Sequence, residues 1–181
     1  RVMNDAEAAE AGFVARYKSG NIVRYYRTLT AAMNSSDSAI HLLTDVEEQV
    51  TVTKTMSRSL YLDGHSFTGS YSGKRLNLYA GAAHFTELSC TTLQLAASSP
   101  ADPNTVTVDK GTFTGDLDVR AGRTLVVKDG FCKGTVKGGG NVTLCGGYYQ
   151  GALSVTGTLE IQGGYFVNDP STWVDSTSSV V

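Results

Sequence analysis

Along the second half of the chain, apolar and polar residues alternate in short bursts that recur at a nearly fixed distance. Val106-Thr-Val108, Leu125-Val-Val127, Val142-Thr-Leu144 and Leu159-Glu-Ile161 are each an apolar-x-apolar triplet. Five residues after the last member of each comes Phe113, Cys132, Tyr149 or Phe166, and two residues further on Gly115, Gly134, Gly151 or Asn168. These units step by 19, 17 and 17 residues. The same template fits upstream, where Leu60-Tyr-Leu62 precedes Phe67 and Gly69, and Leu78-Tyr-Ala80 precedes Phe85. The step from Phe67 to Phe85 is 18, and that from Phe85 to Phe113 is 28. The segment 96–104 (AASSPADPN) supplies the excess, and its Ser, Pro and Asp content reads as a protruding loop.

Units of this length with period-2 alternation inside them predict a β-solenoid. Each unit is one coil whose inward residues stack on those of its neighbours, with strands ~4.8 Å apart. A single coil cannot bury its apolar face, so stability comes from stacking. The recurrent glycines are expected at coil corners, where positive φ is needed. Six coils make a rod on the order of 30 Å long at that spacing. A seventh, less regular coil is expected through Ile40-His-Leu42-Leu43 and Val50-Thr-Val52. The fold class is therefore all-β, a parallel β-helix of about six to seven short coils, capped by an N-terminal hairpin and a short α-helix, and the repeat length alone does not set its hand. A period near 18 also suits left-handed hexapeptide solenoids, but the six-residue apolar repeat of that class is absent.

A solenoid has an open edge at each end, and each needs a cap. In Thr28–Asn34, Leu29, Ala32 and Met33 fall at i, i+3 and i+4, the pattern of a short helix able to lie across the core. Gly12–Arg27 alternates around Ser19-Gly20-Asn21 and reads as a hairpin. Asp5–Ala11 reads as a helical lead or a linker remnant. At the far end Pro170 stops the strand and Trp173 is expected to fold over the last coil, followed by a frayed tail. The chain divides into a lead, hairpin and helix (1–39), the solenoid (40–167, with the loop at 96–104) and a C-terminal cap and tail (168–181).

Composition narrows the class further. The 181 residues hold 20 glycines, 3 prolines and 18% charged residues, a low charge content that suits Thr- and Ser-faced strands joined by tight turns. A net charge of −2 offers no field for nucleic acid. No apolar run approaches the ~18 residues of a membrane span. The chain opens on Arg1 without a visible signal peptide, which suggests a segment of something longer. Cys90, Cys132 and Cys145 form neither a CxxC pair nor a zinc spacing and are read as free thiols.

Three segments carry a family resemblance. Arg27–Val46 (RTLTAAMNSSDSAIHLLTDV) resembles the opening "short helix, polar turn, strand ending in Leu-Leu-x-Asp-Val" of right-handed, pectin-lyase-like β-helix domains from cell-surface proteins of gut Firmicutes. Leu60–Gly69 (LYLDGHSFTG) is similar to their "Leu-x-Leu-x-Gly-His-x-Leu" coil, and Gly163–Val174 (GGYFVNDPSTWV) to their terminal "Gly-Gly-x-Phe-x-x-Asp-Pro-Ser-x-Tyr-Val". The resemblance spans roughly residues 22–175. It implies a secreted or wall-attached location, a right-handed solenoid and other domains in a longer parent chain. It implies no defined activity, since such domains serve as adhesins, stalks and enzyme scaffolds alike.

The repeat register sorts side chains into inside and outside. Phe67, Phe85, Phe113, Cys132, Tyr149 and Phe166 form an inward column, read as an aromatic core ladder. The residues just before them, Ser66, His84, Thr112, Phe131, Tyr148 and Tyr165, point outward. Phe131, Tyr148 and Tyr165 thus make an outer aromatic column, the candidate ligand-binding residues, because flat rings stack on sugars or anchor a protein partner. The competing expectation is cross-strand packing or cover by the segment around Trp173.

Catalysis finds less support. Asp109 and Asp129 fall near each other on successive coils, but Lys110 and Lys128 beside them suggest a solvated ladder rather than an acid–base pair. Asp63 lies further along the register, and Asp116 and Asp118 alternate beside Arg120. His41, His65 and His84 lack metal-ligand spacing, and His65 reads as a turn residue after Asp63-Gly64. Cys145 is expected outward and Cys90 near the inserted loop, with nothing nearby to lower a thiol pKa. No catalytic residue, metal or cofactor is predicted.

The function expected is a non-catalytic cell-surface binding module, an adhesin or glycan-contacting domain, with a glycan or host surface protein as partner. Nucleic acid and membrane insertion are not expected. The alternatives are a structural spacer and a carbohydrate-active enzyme, either lyase or hydrolase, on the same scaffold. The last is weakest because one modest loop builds no cleft.

Overall fold

A computed structural model describes residues 3–96 and 104–173. The chain forms an all-β parallel solenoid of about seven turns, wound in the right-handed sense. It begins with a helix, α1 (Asp5–Glu10), closed by a reciprocal capping box between Asn4 and Glu7. A hairpin follows, β1 (Ala15–Ser19) and β2 (Ile22–Tyr26), turning at Gly20. Next comes α2 (Leu29–Met33), N-capped by the Thr28 hydroxyl. Leu29, Ala32 and Met33 are all buried, so the predicted helical face closes the N-terminal end of the core.

The first three coils carry two strands each. They are β3 (Ala39–Leu42) with β4 (Val46–Thr51), β5 (Arg58–Tyr61) with β6 (Ser66–Ser72), and β7 (Arg75–Tyr79) with β8 (Gly81–Cys90). The last four carry three each, except that β9 (Thr92–Leu95) precedes the loop. They are β9, β10 (Asn104–Val108) and β11 (Gly111–Phe113); β12 (Leu117–Val119), β13 (Arg123–Val127) and β14 (Gly130–Cys132); β15 (Val136–Gly138), β16 (Asn141–Leu144) and β17 (Tyr148–Tyr149); and β18 (Leu153–Val155), β19 (Thr158–Ile161) and β20 (Tyr165–Phe166).

One sheet runs β2-β1-β3-β5-β7-β9-β12-β15-β18, with the hairpin added antiparallel to β3 at its edge. The second sheet forks. The N-terminal half of the long strand β8 pairs with β10, and its C-terminal half with β11. A bulge prepares the bend: opposite Gly69 and Ser70, the register skips Thr86. Downstream, Asp109-Lys110 separates β10 from β11 and Lys128-Asp129 separates β13 from β14.

This fork corrects the single six-unit register. Leu60-Tyr-Leu62 and Leu78-Tyr-Ala80 belong to the first sheet, whereas the triplets from Val106 onward belong to the second. Phe85 stands in register with Val108, and Phe113 with Cys90. The inward column is therefore Cys90, Phe113, Cys132, Tyr149 and Phe166. Phe67 and Phe85 pack against each other elsewhere, with ring centroids 5.2 Å apart. Cys90 is buried in this column rather than beside the loop.

The glycines also divide into two kinds. Gly130, Gly147 and Gly164 have positive φ, at corners as expected. Gly115, Gly134 and Gly151 do not, and they are glycine because successive coils touch there. A Cβ on Gly151 would lie 1.9 Å from the Gly134 oxygen. At the loop base, Asn104 donates to the Leu78 carbonyl at 3.1 Å, and the loop itself, 97–103, lies outside the described residues. Ser171–Trp173 forms a 3-10 turn. The Trp173 side chain and the tail, predicted as cap and frayed end, also fall outside the described residues.

Candidate functional site

The outer aromatic column stands on β14, β17 and β20. Immediately before each ring, Gly130, Gly147 and Gly164 let consecutive backbones approach. A Cβ at Gly130 would meet the Gly111 oxygen at 2.1 Å. That close stacking sets Phe131, Tyr148 and Tyr165 directly above one another. Phe131 and Tyr148 have centroids 6.0 Å apart at 14°, and Tyr148 and Tyr165 5.0 Å apart at 6°. Tyr165 is 62% exposed and Tyr148 37%, while Phe131 is half-buried. Behind them Tyr149 and Phe166 stack inward at 4.9 Å, and the Tyr149 hydroxyl donates to the Gly146 carbonyl. Burial pushes that phenol well above its ordinary pKa. The outer rings thus rest on a packed second layer.

The column continues differently from the register first expected. Thr112, Phe131, Tyr148 and Tyr165 are in line, but upstream the line runs through Ser89, Ser72 and Thr51. Ser66 and His84 stand elsewhere: Ser66 faces Ala82, and His84 lies between Thr68 and Thr107. An aromatic half therefore gives way to a hydroxyl half along one edge of the rod.

Of the acidic candidates, Asp63, Asp109, Asp116 and Asp118 form inter-coil pairs. Asp109 meets His84 Nε2 and Lys128 Nζ, each at 2.8 Å. Hydrogen bonds from Lys128 and then His84 hold its carboxyl below the ordinary carboxylate range. Asp116 is lowered by Lys137 first and the Thr135 N–H second. Asp129 accepts from the Gly130 N–H, and Asp118 from Gln94. Asp63 binds His41 Nδ1 at 2.8 Å. Asp63 and Gly64 both adopt positive φ, and the His65 N–H closes that turn on the Leu62 carbonyl.

All three cysteines are free. Burial raises the Cys90 and Cys132 thiols to about 12, leaving both protonated at neutral pH. Cys145 is half-buried. Among the described residues, no three His, Cys, Asp or Glu side chains converge as a metal set, and no helix is long and apolar enough to cross a membrane.

A second aromatic stack escaped the repeat register. His41, Tyr61 and Tyr79 lie face to face on the first sheet, with centroids 4.4 and 4.2 Å apart. Each is the central residue of an apolar-x-apolar triplet, so the middle position of those triplets carried the signal. No protein-family model, curated protein or solved structure matches the chain.

Proposed function

We propose that the chain is a non-catalytic binding module of a secreted or wall-attached bacterial protein, contacting glycans through Phe131, Tyr148 and Tyr165. The observation that carries this reading is the outward, near-parallel stack of three rings, two of them exposed, on a rigid sheet. A large aromatic surface of this kind is costly to leave in water unless it meets a partner. Rings fixed by the coil stack lose little side-chain entropy on binding, which favours contact with flat sugar faces. The paired, ionised carboxylates also fit binding better than acid–base chemistry. A pectin-lyase-like relationship to gut Firmicutes surface proteins belongs to the same proposal and rests on the three resembling segments. The test is a glycan array with wild type and Tyr148→Ala at matched melting temperature. Wild type is expected to bind at least one glycan class, and the variant to lose about tenfold or more in affinity. Equal binding by both proteins would remove Tyr148 from the site. Absence of binding by wild type would favour a spacer.

A further inference from the structure

The hydroxyl half of the outer column opens onto a groove that the aromatic rings do not account for. Its volume is about 270 Å3, and its lining includes Ser72, Ser89, Thr91, Thr114, Lys54 and Lys74. Ser72 and Ser89 are the same residues that continue the ring column upstream. Groove and rings are thus two stretches of one track running along the rod. Across seven coil positions, Thr51 to Tyr165, the track is roughly 30 Å long at ~4.8 Å per coil.

One flank of this track is basic. Lys54 and Lys74 are both exposed, and neither forms an ion pair among the described residues. Lys133, two residues beyond Phe131, is also exposed, and its N–H bonds to the Phe113 carbonyl in line with Thr114 of the groove wall. Of the acidic residues nearby, Asp116 is taken by Lys137, while Glu87 is exposed two residues before Ser89, on the other side of the column from Lys74, which follows Ser72 by two. The protein as a whole is slightly acidic, so unpaired cations on one edge are a local feature.

Resting on the glycan-contact reading above, we propose that this track takes an extended anionic glycan lying parallel to the solenoid axis. Its sugar faces stack on Phe131, Tyr148 and Tyr165. Its acidic substituents face Lys54, Lys74 and Lys133, and its hydroxyls bond to Ser72, Ser89, Thr91 and Thr114. A linear polymer is required because no compact ligand reaches both ends of the track. Negative charge is required because the free cations sit on the flank, where each contributes a screened but directional attraction.

The experiment is calorimetry with alginate and hyaluronan oligosaccharides long enough to span the track, each beside its carboxyl-reduced counterpart. The proteins are wild type, K54A/K74A and Y148A. The charged oligosaccharides should bind wild type, weakening as NaCl is raised. K54A/K74A should lose about three- to tenfold for them, given the modest strength of exposed ion pairs, and nothing for the reduced forms. Y148A should weaken both. Undiminished binding of charged oligosaccharide by K54A/K74A, with loss in Y148A, overturns the anionic track and leaves the ring site standing. Equal wild-type affinity for charged and reduced forms does the same. Absence of binding for every oligosaccharide overturns both. All three side chains are exposed, so an unchanged melting temperature separates lost contact from lost fold.

Discussion

Replacing Gly151 by Ala probes one of the two tightest glycine contacts between coils among the described residues. The added Cβ would sit 1.9 Å from the Gly134 oxygen, 2.3 Å from its carbonyl carbon and 2.9 Å from the Thr135 nitrogen. Gly151 does not have positive φ, so the strain is a collision with the preceding coil and not a torsional one. Reaching ordinary contact at 3.4 Å requires the coils to part by about 1.5 Å, roughly a third of the ~4.8 Å strand spacing. The bonds from the Gln150 N–H to the Cys132 carbonyl (2.8 Å) and from the Val136 N–H to the Ala152 carbonyl (3.0 Å) flank the site. Losing both costs ~1 kcal/mol each, and overpacking adds ~1–3 kcal/mol, so a loss of about 3–5 kcal/mol is expected. For a chain of this length that lowers the melting temperature by roughly 10 °C. Two controls separate the causes. Gly139→Ala, whose nearest atoms lie at 3.6 Å, should stay within about 0.5 kcal/mol of wild type. Gly20→Ala, in open space at φ +56, should lose only the ~1–2 kcal/mol of a left-handed residue. Urea and thermal melts followed by circular dichroism read all three. Hydrogen exchange at Gln150 reports local opening, since solenoid stability is a nearest-neighbour property. G151A melting within about 2 °C of wild type would refute the stacked-backbone account.

Other expectations follow from buried and charged groups. Arg58 is fully buried and donates to the Ser35 and Asp37 carbonyls at 2.8 and 3.0 Å, tying the cap to the second coil. Arg58→Met should cost about 3 kcal/mol by stranding both acceptors, read as a lower urea midpoint; an unchanged midpoint would show that the cap holds without it. Asp45, Asp109 and Asp116 all have carboxyls lowered by hydrogen bonds, at Asp45 chiefly from the Ser66 N–H. Their folded pKa values lie below the unfolded ones, so their stabilisation is present above pH ~4 and is lost as pH falls through the folded values. The melting temperature should therefore drop on the acid side, less steeply in Asp116→Asn; identical acid limbs would rule Asp116 out. Thiol labelling at pH 8 should modify at most Cys145 in the native protein and all three cysteines in urea. Rapid native labelling of Cys90 or Cys132 would contradict their burial.

Several features are legible in the amino-acid sequence. Leu29, Ala32 and Met33 marked the capping helix because an isolated helix that short is stable only with one apolar face against a core. The outward direction of Phe131, Tyr148 and Tyr165 followed from period-2 alternation within each unit. The triplets read as one series although they lie on two sheets. An apolar-x-apolar triplet looks the same on either sheet, and nothing local says that Leu78 stacks on Leu60 and Leu95 while Val106 stacks on Ala83 and Leu125. The bulge at Thr86, where one long strand forks into two lines, carries no strong sequence mark.

The same division holds for the site. Alternation and repeat length are local properties, set by the extended backbone and the stacking distance, so they dictate a solenoid and the side on which each ring falls. Which outward residues form a line depends on how β8 forks between β10 and β11, a long-range matter. That fork puts Ser72 and Ser89, rather than Ser66 and His84, at the head of the aromatic column. It also sets Lys54 and Lys74 on one track with rings more than fifty residues away in the chain.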